Sequence, residues 1–257
     1  MAIYTTEITS DTLDSDNPIH QRLIKAYYLA RPYIGGDLLE VGCGEGRGIA
    51  LLQARCQRYV AIDKIDGALK KLEAVYPQVE FMQMNIPPMK ELPDNSFDRV
   101  ISFQVIEHIK DDLTFLREIA RVLKPGGLAL ITTPNIKFTL TRNPWHKREY
   151  QSHELQELAE AVFDKVQIKG IAGNEKVMGY YNQNKQSVEK ITRFDILDLQ
   201  NRLPASLLRI PYDILNRINR RKLQKQDNQL VTGITHEDYI LVEEGAKGLD
   251  LFGILTK

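Results

Sequence analysis

Four glycines alternate with other residues directly after a short apolar run, in Leu38-Leu-Glu-Val-Gly-Cys-Gly-Glu-Gly-Arg-Gly48, and a helical pattern follows. At Gly42, Gly44 and Gly46 the missing side chain lets the backbone bend tightly and approach a ligand where a Cβ would collide. The N-terminus of the next helix adds free N–H groups. The spacing departs from G-x-G-x-x-G, because Arg47 occupies the last glycine position, and this weakens a dinucleotide reading. Asp63 closes the next apolar run, nineteen residues beyond Gly44, where a carboxylate can accept both hydroxyls of a ribose. The competing role for Asp63 is to cap the helix after it. Glu40 lies one residue inside the end of the first run; a carboxylate there is costly to bury without a partner, and a cationic ligand amine would supply one. The group predicts a site for a ribose-bearing ligand.

Those residues need strands that end together. Candidate strands run over Asp37–Cys43, Tyr59–Asp63, Val79–Met84, Phe97–Phe103, Leu128–Thr133, Val166–Ala172 and Leu249–Thr256, with helical patterns at Gly48–Arg55, Gly67–Val75, Asp111–Leu123 and Ser152–Phe163. The alternation predicts an α/β fold, a doubly wound, mostly parallel seven-stranded sheet with helices on both faces. Ser152 is the expected N-cap of its helix. An apolar stripe over Pro18–Tyr33 predicts an amphipathic helix lidding the first crossover. Between the last two strands lies Gly173–Gly248, far longer than an ordinary connection and so expected to be a helical insertion. Helices are predicted within it over Ser187–Leu199 and Ala205–Gln224, the second interrupted by Pro211. The expected organisation is a single domain: a lid helix over 17–34, a cofactor-binding core over 35–172, the insertion over 173–248 and a last strand over 249–257.

Composition excludes several classes. Thirty-four basic and thirty-four acidic residues cancel, which removes a global electrostatic case for nucleic-acid binding. Two cysteines, Cys43 and Cys56, are too few for a disulfide framework and have no spaced partner set for zinc; no metal site is expected. Met1–Asn17 lacks the basic start and apolar stretch of a signal peptide, and no run approaches the roughly 18 apolar residues of a membrane span. A cytoplasmic protein is expected, with peripheral membrane contact left open.

The segment from Glu40 to Gly46, Pro93-Asp-Asn-Ser-Phe-Asp-Arg-Val100, Ile106-Glu-His108 and Arg121-Val-Leu-Lys-Pro-Gly-Gly127, in that order, resemble class I S-adenosylmethionine-dependent methyltransferases. The resemblance covers roughly 23–133 and implies a Rossmann-like methyltransferase fold with S-adenosylmethionine as cofactor. It implies that Gly42, Cys43, Gly44 and Gly46 shape the loop beneath the methionine part, that Glu40 holds its amino group directly or through water, and that Asp63 binds the ribose. Lys64, Asn85 and Ile86 would border adenine, Asn85 standing where the family commonly has an acidic residue. Phe103 and Gln104 would border the sulfonium. Glu107 and His108 match a family pair to which a structural role is assigned, and Lys124-Pro-Gly-Gly127 is expected to be the turn launching the fifth strand.

Asn143-Pro-Trp-His-Lys-Arg-Glu-Tyr150 is similar to a segment of methyltransferases associated with glycan and cell-envelope biosynthesis, which places His146 by the acceptor opening. His146 is the candidate general base; the alternative is that His146, Arg148 and Glu149 only tie the loop down. Tyr180, Tyr181, Phe194 and Tyr212 could meet an acceptor or fill a core. The basic run Arg217–Lys225 could steer an anion or rest on a membrane, though a solvated helix face is the simpler expectation. The sequence therefore points to methylation of a small-molecule or sugar-containing acceptor, with oxygen favoured. Two alternatives stay open: a nicotinamide-dependent oxidoreductase on the same topology, and a non-catalytic methyltransferase-like binding module.

Overall fold

The expected central sheet is present, with one more strand. In the computed structural model, which describes residues 13–193 and 199–257, the strands are β1 (Asp37–Val41), β2 (Arg58–Asp63), β3 (Glu80–Gln83), β4 (Phe97–Phe103), β5 (Leu123–Pro134), β6 (Lys165–Gly173), β7 (Tyr239–Val242) and β8 (Asp250–Thr256). They form one eight-stranded sheet in the order β3-β2-β1-β4-β5-β8-β6-β7. The first five pair in parallel, and β5·β8, β8·β6 and β6·β7 are antiparallel. This corrects the seven-stranded expectation. The missed strand, β7, is four residues long at the sheet edge, too short for a recognisable alternation. β5 also begins earlier than predicted, because Leu123 already pairs with Phe97 before a register shift. Lys124–Gly127 is therefore a bulge inside β5 rather than a turn ahead of it, with Gly126 at φ 73°.

Around the sheet lie α1 (Asn17–Ala30), α2 (Ile49–Leu52), α3 (Asp66–Val75), α4 (Asp112–Val122), α5 (Ser152–Glu160), α6 (Glu175–Thr192), α7 (Leu199–Arg202), α8 (Ala205–Gln226) and α9 (Asn228–Gly233). The cap of α5 is Gln151, not Ser152: its side chain accepts from the third helical residue while Glu154 accepts from the Gln151 N–H at 2.7 Å. The helix predicted from Ser187 starts twelve residues earlier at Glu175, capped by Asn174, whose side chain accepts from Val177 N–H. Phe194 lies outside the described residues. α8 runs unbroken through Pro211, whose ring faces solvent on the exposed side of the helix.

Alternation along the strands buries both sheet faces. Leu38, Ala61, Ile101 and Leu130 pack on one side with Ala26, Ala30 and Phe252, while Leu39, Val60, Val100 and Ile131 pack on the other with Phe115, Ile119 and Leu155. The basic run is not simply solvated. Arg217 and Arg220 reach the fully buried Asp16 at 3.0 and 3.1 Å, so this part of α8 is pinned to the chain just before α1. Arg221, Lys222 and Lys225 remain exposed.

Candidate active site

Register brings the chemistry-bearing residues to one edge. Val41 pairs with Ile62 and Glu40 with Ile101, so the bend after β1 sits between the tip of β2, at Asp63, and the tip of β4, at Phe103 and Gln104. In this strand order the chain leaves β1 on one side and β4 on the other, which opens a crevice at the carboxyl ends of the strands. Gly42, Gly44 and Gly46 all have positive φ, at 80°, 55° and 73°. A Cβ on Gly42 would come within 2.4 Å of Val105 Cγ2, so the bend touches the segment after β4. Around Gly44 nothing lies within 4 Å of the added atom, which leaves room for a ligand.

Asp63 does not cap α3, whose N-cap is Ile65 with no side-chain cap; it holds the loops on either side instead. Its Oδ1 accepts from Ile65 N–H at 3.0 Å, and its Oδ2 accepts from Gly44 N–H at 2.9 Å. The end of β3 is drawn alongside, since Met84 N–H donates to the Asp63 carbonyl at 2.9 Å. Lys64 and Asn85 are exposed at this edge, Ile86 is half-buried and Cys43 is buried.

Glu40 differs from expectation. It is 2% exposed and accepts hydrogen bonds from Tyr27 Oη at 2.7 Å and Tyr59 Oη at 2.5 Å. Two hydroxyl donors satisfy both oxygens, so burial of this carboxylate does not require a ligand amine. Tyr27 reaches it by lying flat against Gly48, where an added Cβ would stand 1.8 Å from the ring; the fourth glycine serves this packing. Burial pushes the Glu40 carboxyl up from 4.5 to about 7, against the pull of the two hydroxyls. Because the folded-state pKa is the higher, the stabilisation linked to this proton is fully present below about 4.5 and lost as pH rises through about 7. Urea unfolding of the wild type and Glu40→Gln should accordingly show the wild type losing ground to the variant between pH 5 and pH 8. A pH-independent difference would count against a buried, proton-binding Glu40.

At the tip of β4, Gln104 adopts φ 59°, a left-handed conformation rare outside glycine and costing of order 1 kcal/mol or more. Its N–H donates to the Thr132 carbonyl at 2.9 Å and its side-chain amide to Thr132 Oγ1 at 3.3 Å. Phe103 packs edge-on against Tyr27, with centroids 4.9 Å apart. From Gln104 a cavity of about 270 Å³ extends away from the glycine bend, beneath the insertion. Arg22 of α1, Tyr180 and Tyr181 of α6, Tyr212 and Asn216 of α8, and His146 line it. Thus the cavity unites Gln104 and His146 among the predicted residues, while the glycines, Glu40 and Asp63 belong to the bend beside it.

His146 is held on both nitrogens. Nδ1 lies 2.6 Å from Glu149 Oε1, and Nε2 lies 2.8 Å from Asn143 Nδ2; an amide nitrogen can only donate, so Nε2 is the acceptor and Nδ1–H donates to Glu149. Glu149 is steadied in turn by the Thr139 hydroxyl. The 3₁₀ turn after β4 brings Glu107 and His108 to the same end: the Glu107 carbonyl accepts from Lys147 N–H, His108 Nδ1 lies 3.1 Å from the Trp145 carbonyl, and the two imidazoles meet edge-to-face at 5.0 Å. Burial raises the Glu107 carboxyl to about 7, opposed by nearby His146.

The chain is similar in sequence and fold to known methyltransferases. Residues 39–131 match the methyltransferase domain family. A probable S-adenosylmethionine-dependent methyltransferase of Mycobacterium tuberculosis is 41% identical over 160 residues, 60% of this chain and 58% of that protein. The human mitochondrial ubiquinone biosynthesis O-methyltransferase is 31% identical over 112 residues, 41% of this chain and 30% of that protein. A SAM-dependent methyltransferase of Thermotoga maritima, described as a possible histamine N-methyltransferase, superimposes with a TM-score of 0.57 over 93% of this chain and 92% of its own, at 14% identity. A methyltransferase domain thus matches the stretch of the chain, residues 39–131, that holds the glycine bend, Asp63 and Gln104.

The chain spans less than two thirds of the length of these curated relatives, 58% and 30%. S-adenosylmethionine fits the bend of this methyltransferase domain: the open side of Gly44 admits a ligand against the backbone, and Asp63 stands beside it with acceptor oxygens. Sequence reasoning missed several residues of the cavity beside it. Arg22, Asn184, Asn216 and Asn219 line it from three helices, joined by Arg220 of the basic run that the sequence had singled out. Tyr180, Tyr181 and Tyr212, which the sequence singled out, also line it. Among the described residues, no helix is long and apolar enough to cross a membrane.

Proposed function

We propose that the chain moves the methyl group of S-adenosylmethionine to a hydroxyl of a small-molecule or sugar-containing acceptor seated in the cavity beyond Gln104. The observation that carries this reading is the cavity itself: it starts at the strand tip beside the glycine bend and is ringed by tyrosine, asparagine, arginine and histidine side chains, groups that bind hydroxyls. In this reading Gly42, Cys43, Gly44 and Gly46 bed the methionine part, Glu40 holds its amino group directly or through water, and Asp63 takes the ribose hydroxyls. Lys64, Asn85 and Ile86 border adenine, and Phe103 and Gln104 border the sulfonium. The acceptor oxygen forms its bond to the methyl carbon as the S–C bond breaks, sulfur keeping that electron pair and leaving as S-adenosylhomocysteine. His146 Nε2 takes the hydroxyl proton, with Glu149 stabilising the imidazolium. Alignment does most of the rest, since the methyl is already activated.

The human relative named for ubiquinone O-methylation supports oxygen as the acceptor atom. Calorimetry should show S-adenosylhomocysteine binding with no response to NAD or NADP, and labelled methyl from S-adenosylmethionine should pass to a member of a panel of glycans, glycolipids and phenols. Binding of the nicotinamide cofactors in place of S-adenosylhomocysteine would overturn the reading.

Peripheral membrane contact belongs to the same proposal. Leu207, Ile210, Ile214 and Ile218 form a helical stripe on the outer side of α8 with exposures of 62%, 72%, 54% and 57%, next to the exposed Arg221, Lys222 and Lys225. The inner side of the same helix lines the cavity through Tyr212 and Asn216. A helix of this kind suits an acceptor presented from an anionic lipid surface. The double substitution Ile210→Asp with Ile214→Asp should cut co-sedimentation with phosphatidylglycerol vesicles by about tenfold or more, since burying each isoleucine is worth ~1.5–3 kcal/mol, and should leave the melting temperature unchanged. Equal sedimentation of both proteins would remove the membrane role.

A further inference from the structure

We propose that Glu107, His108 and His146 form a binding site for one divalent transition-metal ion at the acceptor end of the cavity. One potential ligand atom from each side chain lies within 4.8 Å of the other two. Metal–ligand bonds of about 2.0–2.2 Å set neighbouring donors roughly 3 Å apart, so the side chains must draw together around an ion.

Hydrogen bonding has already chosen the nitrogens. His108 Nδ1 lies 3.1 Å from the Trp145 carbonyl, which can only accept, and His146 Nδ1 lies 2.6 Å from Glu149 Oε1. Each ring therefore carries its proton on Nδ1 and its lone pair on Nε2. That is the outer arrangement metal-bound histidines adopt, one nitrogen donating to a carbonyl or carboxylate while the other ligates. Glu107 is also held: Oε2 accepts from Thr133 Oγ1 at 3.1 Å, and its backbone carbonyl accepts from Lys147 N–H at 2.6 Å, fastening the loop that carries His146 to the turn that carries Glu107 and His108. At His146 one contact must yield. Asn143 Nδ2 now donates to His146 Nε2 at 2.8 Å, and this amide would have to turn aside as the ion enters.

Two imidazoles with one carboxylate suit Zn²⁺, Fe²⁺, Mn²⁺ or Co²⁺, and not the all-oxygen preference of Mg²⁺ or Ca²⁺. All three ligands line the cavity, so the remaining coordination positions face the place assigned above to the acceptor. An ion there acidifies a bound hydroxyl, which loses its proton to solvent water ahead of methyl transfer, and His146 then acts as a ligand in place of taking that proton. Only this use of the ion rests on the methyl-transfer reading; ion binding does not.

The test is metal uptake, measured apart from activity. The full chain, stripped with a chelator and dialysed, is titrated with Co²⁺ while visible absorbance is followed, and then with Zn²⁺ by calorimetry. One equivalent should bind with micromolar or tighter affinity and resist displacement by millimolar Mg²⁺. Glu107→Gln, His108→Asn and His146→Gln should each weaken it at least tenfold, and His153→Asn, which removes an exposed histidine elsewhere, should not. Should Glu107→Gln fail to fold, the two partly exposed histidines carry the test. Uptake of no ion, or uptake that survives both histidine substitutions, overturns the site. S-adenosylhomocysteine affinity measured on the same samples reports separately on methyl transfer.

Discussion

Replacing His146 with glutamine is expected to lower methyl-transfer turnover by about 10²–10⁴-fold, the usual contribution of a positioned acid–base group, with S-adenosylhomocysteine affinity unchanged within about twofold. Glutamine approximates the length of the imidazole and can still bond Asn143 and Glu149, so the loop keeps its braces. It has no nitrogen that can take a proton. The cofactor side is insulated, because Gly44 and Asp63 hold each other without any contribution from His146. Glu149→Gln should cost less: it preserves an acceptor for the Nδ1–H and removes only the charge that stabilises an imidazolium. Turnover of His146→Gln within threefold of wild type would reduce His146 to a loop brace. A chelator tells the two chemical roles of His146 apart. Stripping the metal should imitate His146→Gln if the residue works through an ion, and should leave turnover intact if Nε2 takes the proton directly.

What the sequence made legible was local. The glycine bend needs positive φ at Gly42, Gly44 and Gly46, a demand almost one residue type can meet, so the pattern announces itself within seven residues. Asp63 was legible because one strand and one crossover fix its distance from the bend. His146 and Glu149 stand three residues apart on one loop, a spacing readable without a fold. The partners of Glu40 were not legible: Tyr27 comes from the helix before β1 and Tyr59 from β2, and nothing short of the packed structure brings two phenols to one carboxylate. The same holds for Asp16, whose guanidinium partners lie 201 and 204 residues away. The basic run looked like a solvated face because its neutralising charge was invisible at that distance. β7 escaped because an edge strand of four residues, flanked by a 3₁₀ turn and the loop before β8, carries too few side chains to show a period.

Those long-range contacts explain how so long an insertion keeps a fixed place over the cavity. α8 is fixed at one end by Arg217 and Arg220 on Asp16, and near the other by Arg209 stacked 4.1 Å over the Trp145 ring and by Asp213 accepting from Trp145 Nε1 at 3.4 Å. Trp145 adjoins His146. The insertion therefore grips the loop that bears the candidate base, and the distance between the cavity-lining side chains of α8 and that base is set by two clamps, not by the length of the connection. Changes between the clamps can alter the cavity wall without disturbing the glycine bend.

Asp63→Ala should weaken S-adenosylhomocysteine binding on the order of 100-fold. Hydrogen bonds to a charged acceptor are worth about 1.5–3 kcal/mol each, and two ribose hydroxyls would lose theirs, with water replacing part of the loss; every tenfold corresponds to ~1.4 kcal/mol. The substitution also frees the Gly44 N–H now bonded to Oδ2, so the bend loses its tie to β2 and the bound form must be ordered at the expense of binding. Asp63→Asn keeps one side-chain acceptor and should fall between, near tenfold. Stability should drop only slightly in either variant, because Asp63 is half-buried and the sheet beneath it is closed by Val60 and Ile62. Titration calorimetry at fixed salt, paired with thermal melts, separates these effects. Affinity equal to wild type in a folded Asp63→Ala protein would mean that the ribose is held elsewhere, and that the carboxylate serves only to join the glycine bend to the start of α3.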